Sequence, residues 1–285
     1  MTTAPLTVAF DSDGASAHAA RYAAARYAAH RAALTALPGS FRVVSGQPAD
    51  VLVTVAADTG WLARITALLT GPVKAVLVAG VAPSAVGDLR GLAALTADSR
   101  LPVVVDSGPA DDAAWRTALP SAQRDLGEMV FIDTVATPPA GGCLFDALLG
   151  QLALVESLTG PLEQVVTLAA TVSGYVLSAA AGSTAVSLSG TACAAEPGAV
   201  ELDLIGARAR WHAEFTAGIA SPARIVRYDA DGARAARPLF QGPQRAGWLR
   251  LRDQIEGADG EAVTGSALTS LIERARIAAS VVVAP

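Results

Sequence analysis

Gly141-Gly142-Cys143-Leu144-Phe145-Asp146-Ala147-Leu148-Leu149-Gly150 lies near the middle of the chain, between the proline pair Pro138-Pro139 and an apolar helix that ends at Gly160-Pro161. Its layout is a glycine pair, three residues, an aspartate, three residues and a final small position. Glycines and prolines interrupt whatever element precedes them, and the apolar run that follows is long enough for a helix. Asp146 falls at the start of that helix, where a capping role is the plain reading. The stretch also parts two patterns: strands alternate with helices before it, and runs of short strands follow it.

At 285 residues the chain has room for one large or two ordinary domains. With 52% hydrophobic and 16% charged residues it should fold around a well-buried core rather than stay disordered. The net charge of −5 leaves no basic footprint for nucleic acid or an anionic membrane. Residues 1–7 lack the basic start and apolar run of a signal peptide. No charge-free apolar stretch reaches the ~18–20 residues of a membrane span. A cytoplasmic protein is expected. Cys143 and Cys193 have no metal-ligand spacing and read as buried structural thiols in a reducing compartment. The histidines, His18, His30 and His212, show no spacing that suggests a metal site.

Toward the N-terminus, Leu6–Phe10, Phe41–Val44, Val51–Val55, Val73–Val78 and Leu101–Val105 read as strands. Helices are expected over Ala15–Leu37, Trp61–Leu69, Pro83–Ala97 (with Ser84 as its cap) and Asp111–Leu119. This alternation predicts a doubly wound parallel sheet with right-handed crossovers. Such sheets bind ligands beyond the carboxyl ends of their strands, so the turns after Phe10, Val55 and Val78 are where chemistry should gather. On the first helix His18, Tyr22 and Arg26 share a face, read either as solvated or as a ligand patch. Asp106 ends the fifth strand, placed for a ligand contact or as a simple turn residue before Gly108-Pro109.

The Gly141–Gly150 stretch resembles a signature of the Gfo/Idh/MocA family of nicotinamide-dependent oxidoreductases. In that family the final position is a histidine that works beside the aspartate in proton transfer; here Asp146 is kept and Gly150 stands in the histidine's place. Asp50–Val55 resembles the family's strand of nicotinamide contacts. Lys74–Val81 resembles the segment that ends in Glu-Lys-Pro, with Ala79-Gly80-Val81 in the tripeptide's place. The resemblance implies that Gly80 replaces a lysine contacting both cofactor and reacting hydroxyl. Lys74 is the sole lysine and should lie at the opposite edge of the sheet.

A dinucleotide turn needs Gly-x-Gly-x-x-Gly after the first strand, so that backbone N–H groups can approach the pyrophosphate. The matching residues are Asp11-Ser12-Asp13-Gly14-Ala15-Ser16, with all three glycine places changed and two of them carboxylates. At ~5 Å and an effective dielectric of about 20, each carboxylate–phosphate pair costs on the order of 3 kcal/mol before screening. Asp11 and Asp13 also suit a helix N-terminus, and on either reading dinucleotide binding is poor.

Beyond the stretch, alternating segments at 164–171, 174–179, 185–190, 200–205, 208–216, 223–228 and 233–238 read as antiparallel strands, and helices near 244–257 and 265–281 close the chain. The expected architecture is α/β. An N-terminal Rossmann-like domain (residues 1–120) carries the degenerate dinucleotide turn, and an α+β domain (residues 121–285) carries an open antiparallel sheet. In the family that sheet often packs face to face in oligomers, which implies a homo- or hetero-oligomer here. With the glycine turn, the lysine at Gly80 and the histidine at Gly150 all replaced, the first reading is an oxidoreductase-like binding or partner subunit with no cofactor. The second is a non-redox enzyme with a small-molecule ligand in the interdomain cleft, Asp146 acting as acid or base and Asp106 assisting. The third is an NAD(P)-dependent oxidoreductase that holds its cofactor atypically.

Overall fold

The computed structural model describes residues 4–11, 17–45, 48–58, 60–99, 101–139, 142–195, 198–216, 221–257 and 264–282. They form two compact units, one of residues 1–106 and 244–276, the other of 107–243 and 277–285.

In the first unit β1 (Leu6–Phe10), β2 (Phe41–Val43), β3 (Val51–Ala56), β4 (Ala75–Val81) and β5 (Val103–Val105) make one parallel sheet in the order β2-β1-β3-β4-β5. Every residue of β3, β4 and β5 is buried. That is why their sequences are continuous apolar runs rather than alternations: helices cover both faces of a parallel sheet. The crossovers are α1 (Ala17–Thr35), α2 (Trp61–Leu68) and α3 (Leu89–Ser99). Alanines give α1 its helical propensity, while Tyr27, His30, Ala33 and Leu34 supply its buried stripe. The segment expected to be one helix from Pro83 opens as a 3-10 turn, Pro83–Asp88. Ser84 caps nothing there; its hydroxyl donates to Ala57 O instead, at 3.3 Å.

The register between β3 and β4 slips once: Thr54 pairs with Val78 but Val55 with Gly80, so Ala79 is an extra residue, a β-bulge. At the amino edge of the same sheet Lys74 Nζ meets Asp50 Oδ1 at 2.8 Å. The lysine is therefore spent at the end of the sheet opposite to Gly80.

The second unit opens with α4 (Ala113–Asp125), capped by Asp112, whose carboxylate accepts from Ala114 N–H at 2.9 Å. The helix expected to end at Leu119 instead runs on through Pro120 to Asp125. Pro120 and Arg116 are both exposed, so water can serve the carbonyl that a proline nitrogen cannot. Then come β6 (Met129–Thr137), α5 (Leu144–Thr159), β7 (Glu163–Thr171), β8 (Gly174–Ala181), β9 (Thr184–Thr191), β10 (Ala199–Gly206), β11 (Arg210–Thr216), β12 (Arg224–Asp229) and β13 (Gly232–Ala235).

These eight strands form one sheet, ordered β13-β12-β11-β10-β6-β9-β8-β7. The sheet is mostly antiparallel, as expected, with one parallel pair, β6 and β9. The α5 crossover carries the chain back to the end where β6 began, and the β7–β8–β9 meander then returns beside β6 in the same direction. α5 packs on one face through Phe145, Leu148, Leu152 and Val155, all fully buried. Its Gln151 pins it to the strands: Nε2 donates to Thr134 Oγ1 at 2.7 Å and Ser189 O at 2.8 Å, and Oε1 accepts from the Tyr175 hydroxyl at 2.5 Å. The other face is open, with Val135 and Val176 each 38% exposed.

After β13 the chain returns to the first unit through α6 (Pro243–Ile255) and most of α7 (Thr264–Val281). Trp248 and Leu251 of α6 are buried in the same core as Val8, Phe41, Val51 and Leu77.

Candidate functional site

In the first unit the strand order reverses at β1, so the carboxyl ends of β1, β3 and β4 face the region where such sheets hold ligands. β1 runs into Asp11, whose N–H donates to Val53 O at 2.9 Å. Its side chain is 6% exposed and lies 4.0 Å from Arg64 Nε. β3 runs into Asp58, gripped by Arg64 of α2 in a fork: Nη1 to Oδ1 at 2.9 Å and Nη2 to Oδ2 at 3.0 Å. The Arg64 hydrogen bonds hold the Asp58 carboxyl below its ordinary range, and Asp58 in turn raises the guanidinium. A cation that could have met a phosphate is thus already held by two carboxylates. Ser12, Asp13 and Gly14 of the stretch matched to a dinucleotide turn lie outside the described residues, as do Ala15 and Ser16.

At the end of β4 the first helix fills the space. Arg26 Nε donates to Ala79 O at 2.6 Å, and the Tyr22 hydroxyl donates to Val81 O at 3.1 Å. One position further along α1, the Tyr27 hydroxyl accepts from Val55 N–H at 3.1 Å, and burial pushes its phenol well above the usual range. The backbone groups around the bulge are therefore met by α1 side chains. Gly80 lies directly beneath them: a Cβ there would fall 2.7 Å from Tyr22 Oη and 3.0 Å from Arg26 Nε. The sequence reading noticed Tyr22 and Arg26 sharing a face and left it as solvated surface or ligand patch. The structure corrects this: both are half-buried and packed on β4. His18, at the other end of that face, has no described side chain.

Asp106 follows β5 and is almost fully buried, its side chain 2% exposed. Oδ2 receives Arg26 Nη2 at 3.1 Å, His30 Nε2 at 3.1 Å and Gln244 Nε2 at 3.4 Å. The His30 tautomer that donates from Nε2 leaves Nδ1 as an acceptor, and that buried atom has no hydrogen-bond partner among the described residues. The ring of His30 packs edge-on to Trp248 of α6, centroids 6.0 Å apart. The carboxylate thus joins β5, α1 and α6. His30 and Gln244 were not singled out as its partners from the sequence; nothing local couples residues so far apart in the chain.

In the second unit Asp146 lies half-buried in the first turn of α5, whose N-cap is Cys143, without a side-chain cap bond. A carboxylate there meets the positive end of the helix. One turn on, Gly150 packs on the turn that enters α4: a Cβ would lie 3.4 Å from Pro109 Cδ, and Gly108 holds φ +58° beside it. Gly142, whose added Cβ would meet Pro139 O at 2.8 Å, closes the turn before α5. Cys143 and Cys193 form no disulfide among the described residues and are half-buried rather than buried. Among the described residues no group of three or more His, Cys, Asp or Glu side chains could hold a metal ion. Among them, too, no helix is long and apolar enough to cross a membrane.

For a dinucleotide, then, the described residues fit poorly. A buried carboxylate ends β1, the nearby arginine is neutralised, and the end of β4 is covered by Tyr22 and Arg26.

No known family profile matches the sequence, and no curated protein is similar to it in sequence. Solved structures are similar to it in fold. GnnA, a UDP-N-acetylglucosamine 3-dehydrogenase of Acidithiobacillus ferrooxidans, superimposes with a TM-score of 0.65 at 14% identity, over 97% of this chain and 97% of its own. The 3-ketoreductase KijD10 of Actinomadura kijaniata, solved with TDP-benzene and NADP, gives 0.67 at 16% identity, over 97% and 96%. Gal80p, a transcriptional regulator of Kluyveromyces lactis, gives 0.67 at 11% identity, over 99% and 92%. The chain has the fold of the Gfo/Idh/MocA-type oxidoreductases along nearly its whole length. At such low identity the likeness is one of fold, and function has to be argued from the site.

Proposed function

We propose that the chain keeps an oxidoreductase architecture without hydride transfer and works as a binding or partner subunit, presenting the open sheet of its second unit to another chain. The observation that carries this reading is Gly80. The position where the family resemblance places a lysine is roofed by Tyr22 and Arg26, and even a Cβ would meet the tyrosine oxygen at 2.7 Å. Gly150 supports it separately: it stands where the resemblance places the family's histidine, so that position offers no imidazole one turn beyond Asp146. A regulator, Gal80p, shares the fold, so the architecture serves proteins described by a role other than dehydrogenase.

The competing reading, an NAD(P)-dependent oxidoreductase with atypical cofactor binding, draws on the NADP in the structure of KijD10. A non-redox reaction at Asp146 is the other alternative, motivated by its half-buried place in the first turn of α5. Titration of purified protein with NADH and NADPH, followed by nucleotide fluorescence, decides the first competition. The expected result is no saturation below about 1 mM, weaker than about −4 kcal/mol of binding free energy. Saturation in the micromolar range, or any turnover of a carbonyl compound with loss of NAD(P)H, overturns the proposal. An activity that consumes no NAD(P)H and vanishes in Asp146→Asn would establish the non-redox alternative.

A further inference from the structure

The second unit contains a groove that neither Asp146 nor Gly150 uses. It runs between α4 and the last strands of the sheet, has a volume of about 570 Å³, and is lined by Arg124, Asp125, Trp211, Arg227, Arg234 and Arg237 among others. The strand register builds one wall: Trp211 pairs with Arg227, and Arg227 with Arg234, so the three stand in one row across β11, β12 and β13. The last turn of α4 builds the other, with Arg124 and Asp125.

Four guanidiniums meet one carboxylate in this lining, on a chain whose net charge is −5. That carboxylate is committed: Asp125 Oδ2 accepts from Arg227 Nε at 2.8 Å and Trp211 Nε1 at 3.0 Å. Arg227 also pairs with Asp229, and Arg234 pairs with Asp231 at 2.8 Å. Neither of the remaining two makes an ion pair among the described residues, although the charge of Arg124 acts on Asp125 at longer range. Arg124 Nη2 donates to Ser121 Oγ at 2.8 Å, and Arg237 makes no ion pair among the described residues. One stands on the helix wall and the other just past the strand wall, both exposed at the groove. Arginine presents a planar fork of donors that matches a tetrahedral oxyanion two bonds at a time. The groove's volume falls within the ~300–1,000 Å³ typical of small-molecule sites.

We infer that this groove binds a small phosphorylated molecule, its phosphate groups held between Arg124 and Arg237, with Arg227 and Arg234 supplying the surrounding positive charge. The Asp125–Arg227–Trp211 contacts tie the two walls together. The inference is independent of whether nicotinamide chemistry survives in the first unit.

The test is calorimetric titration of the full chain with inorganic pyrophosphate at low ionic strength, with citrate at matched ionic strength as the carboxylate comparison. Pyrophosphate should bind with a dissociation constant below about 1 mM and more tightly than citrate. The double change Arg124→Gln with Arg237→Gln should weaken it at least about tenfold, since hydrogen bonds to charged groups are the strong ones. Both side chains are exposed, so the melting temperature should be unchanged, which separates lost binding from lost folding. Removing the same charge elsewhere, by Arg90→Gln with Arg276→Gln, should leave binding intact. Absence of binding, equal affinity for citrate, or affinity undiminished in the groove variant overturns the assignment.

Discussion

Asp50 and Gly80 show how single residues in the first sheet are fixed by neighbours distant in sequence. Asp50 Oδ1 receives Lys74 Nζ at 2.8 Å, and Oδ2 receives Thr7 N–H at 2.8 Å and Thr7 Oγ1 at 2.7 Å. Burial alone would push its carboxyl up, but the bonds from Lys74 and Thr7 outweigh it and hold the value at about 2, against an ordinary 3.8. A depressed folded value means that the stabilisation is fully present above the unfolded value and is lost as pH falls from about 4 toward about 2. With the side chain about a quarter exposed, screening leaves roughly 1–2 kcal/mol. Asp50→Asn should therefore flatten the stability-against-pH curve in that window, as read by urea unfolding; an unchanged slope would remove the ion pair from the account. At Gly80 the expectation is steric. Gly80→Ala should cost about 1–3 kcal/mol through overpacking against Tyr22. Tyr22→Phe in the same chain should return part of that loss by removing the oxygen at 2.7 Å. If the two changes are simply additive in a double-mutant cycle, the close approach is not what dictates glycine.

Among the elements, β4 and α1 act as a pair. The bulge at Ala79 and the side chains of Arg26 and Tyr27 answer one another, one accepting what the ladder does not use and one donating to it. Tyr27→Phe leaves Val55 N–H, inside a fully buried strand, without its phenolic acceptor. The expected cost is about 1–3 kcal/mol, with faster amide hydrogen exchange at Val55 as the local readout. This is also the scale at which legibility in the sequence divides. The runs Val51–Ala56 and Ala75–Val81 announce buried parallel strands, because covering both faces removes every polar position. The bulge within β4 leaves no mark in those runs; it depends on Arg26 and Tyr27, which belong to another element. The parallel pairing of β6 with β9 is hidden for a similar reason, since each strand alternates as an antiparallel one would. The family resemblance reads Gly80 and Gly150 as standing in the places of functional residues. The close approach of Tyr22 and Arg26 to Gly80 leaves no mark in the sequence, because spacing carries no information about what folds back over a strand end.

For the whole molecule, the two sheets meet opposite solvent conditions: one is covered on both faces, the other on the α5 face only. The register sets Val176, Ser189 and Val135 in one row on the open face, and Phe131 beside Ile205 in another. Single exposed apolar residues are ordinary, but a face carrying several at once suits association. If this face meets another copy of the chain, light scattering should find an oligomer that Val135→Lys with Val176→Lys converts to monomer while the melting temperature holds. A monomer in both forms would argue for a different chain as the partner, or for none.

The return of α6 to the first unit has a consequence for biosynthesis. Trp248 packs against Phe41 with ring centroids 5.0 Å apart, and Arg252 Nη1 donates to Ser40 Oγ at 2.8 Å. Domains usually fold in the order in which they leave the ribosome, but the first sheet here emerges more than a hundred residues before the indole that seals it. Until translation reaches that tail, the early half must wait with an unsealed hydrophobic surface. Chaperone dependence should therefore concentrate on the nascent chain rather than on the finished protein.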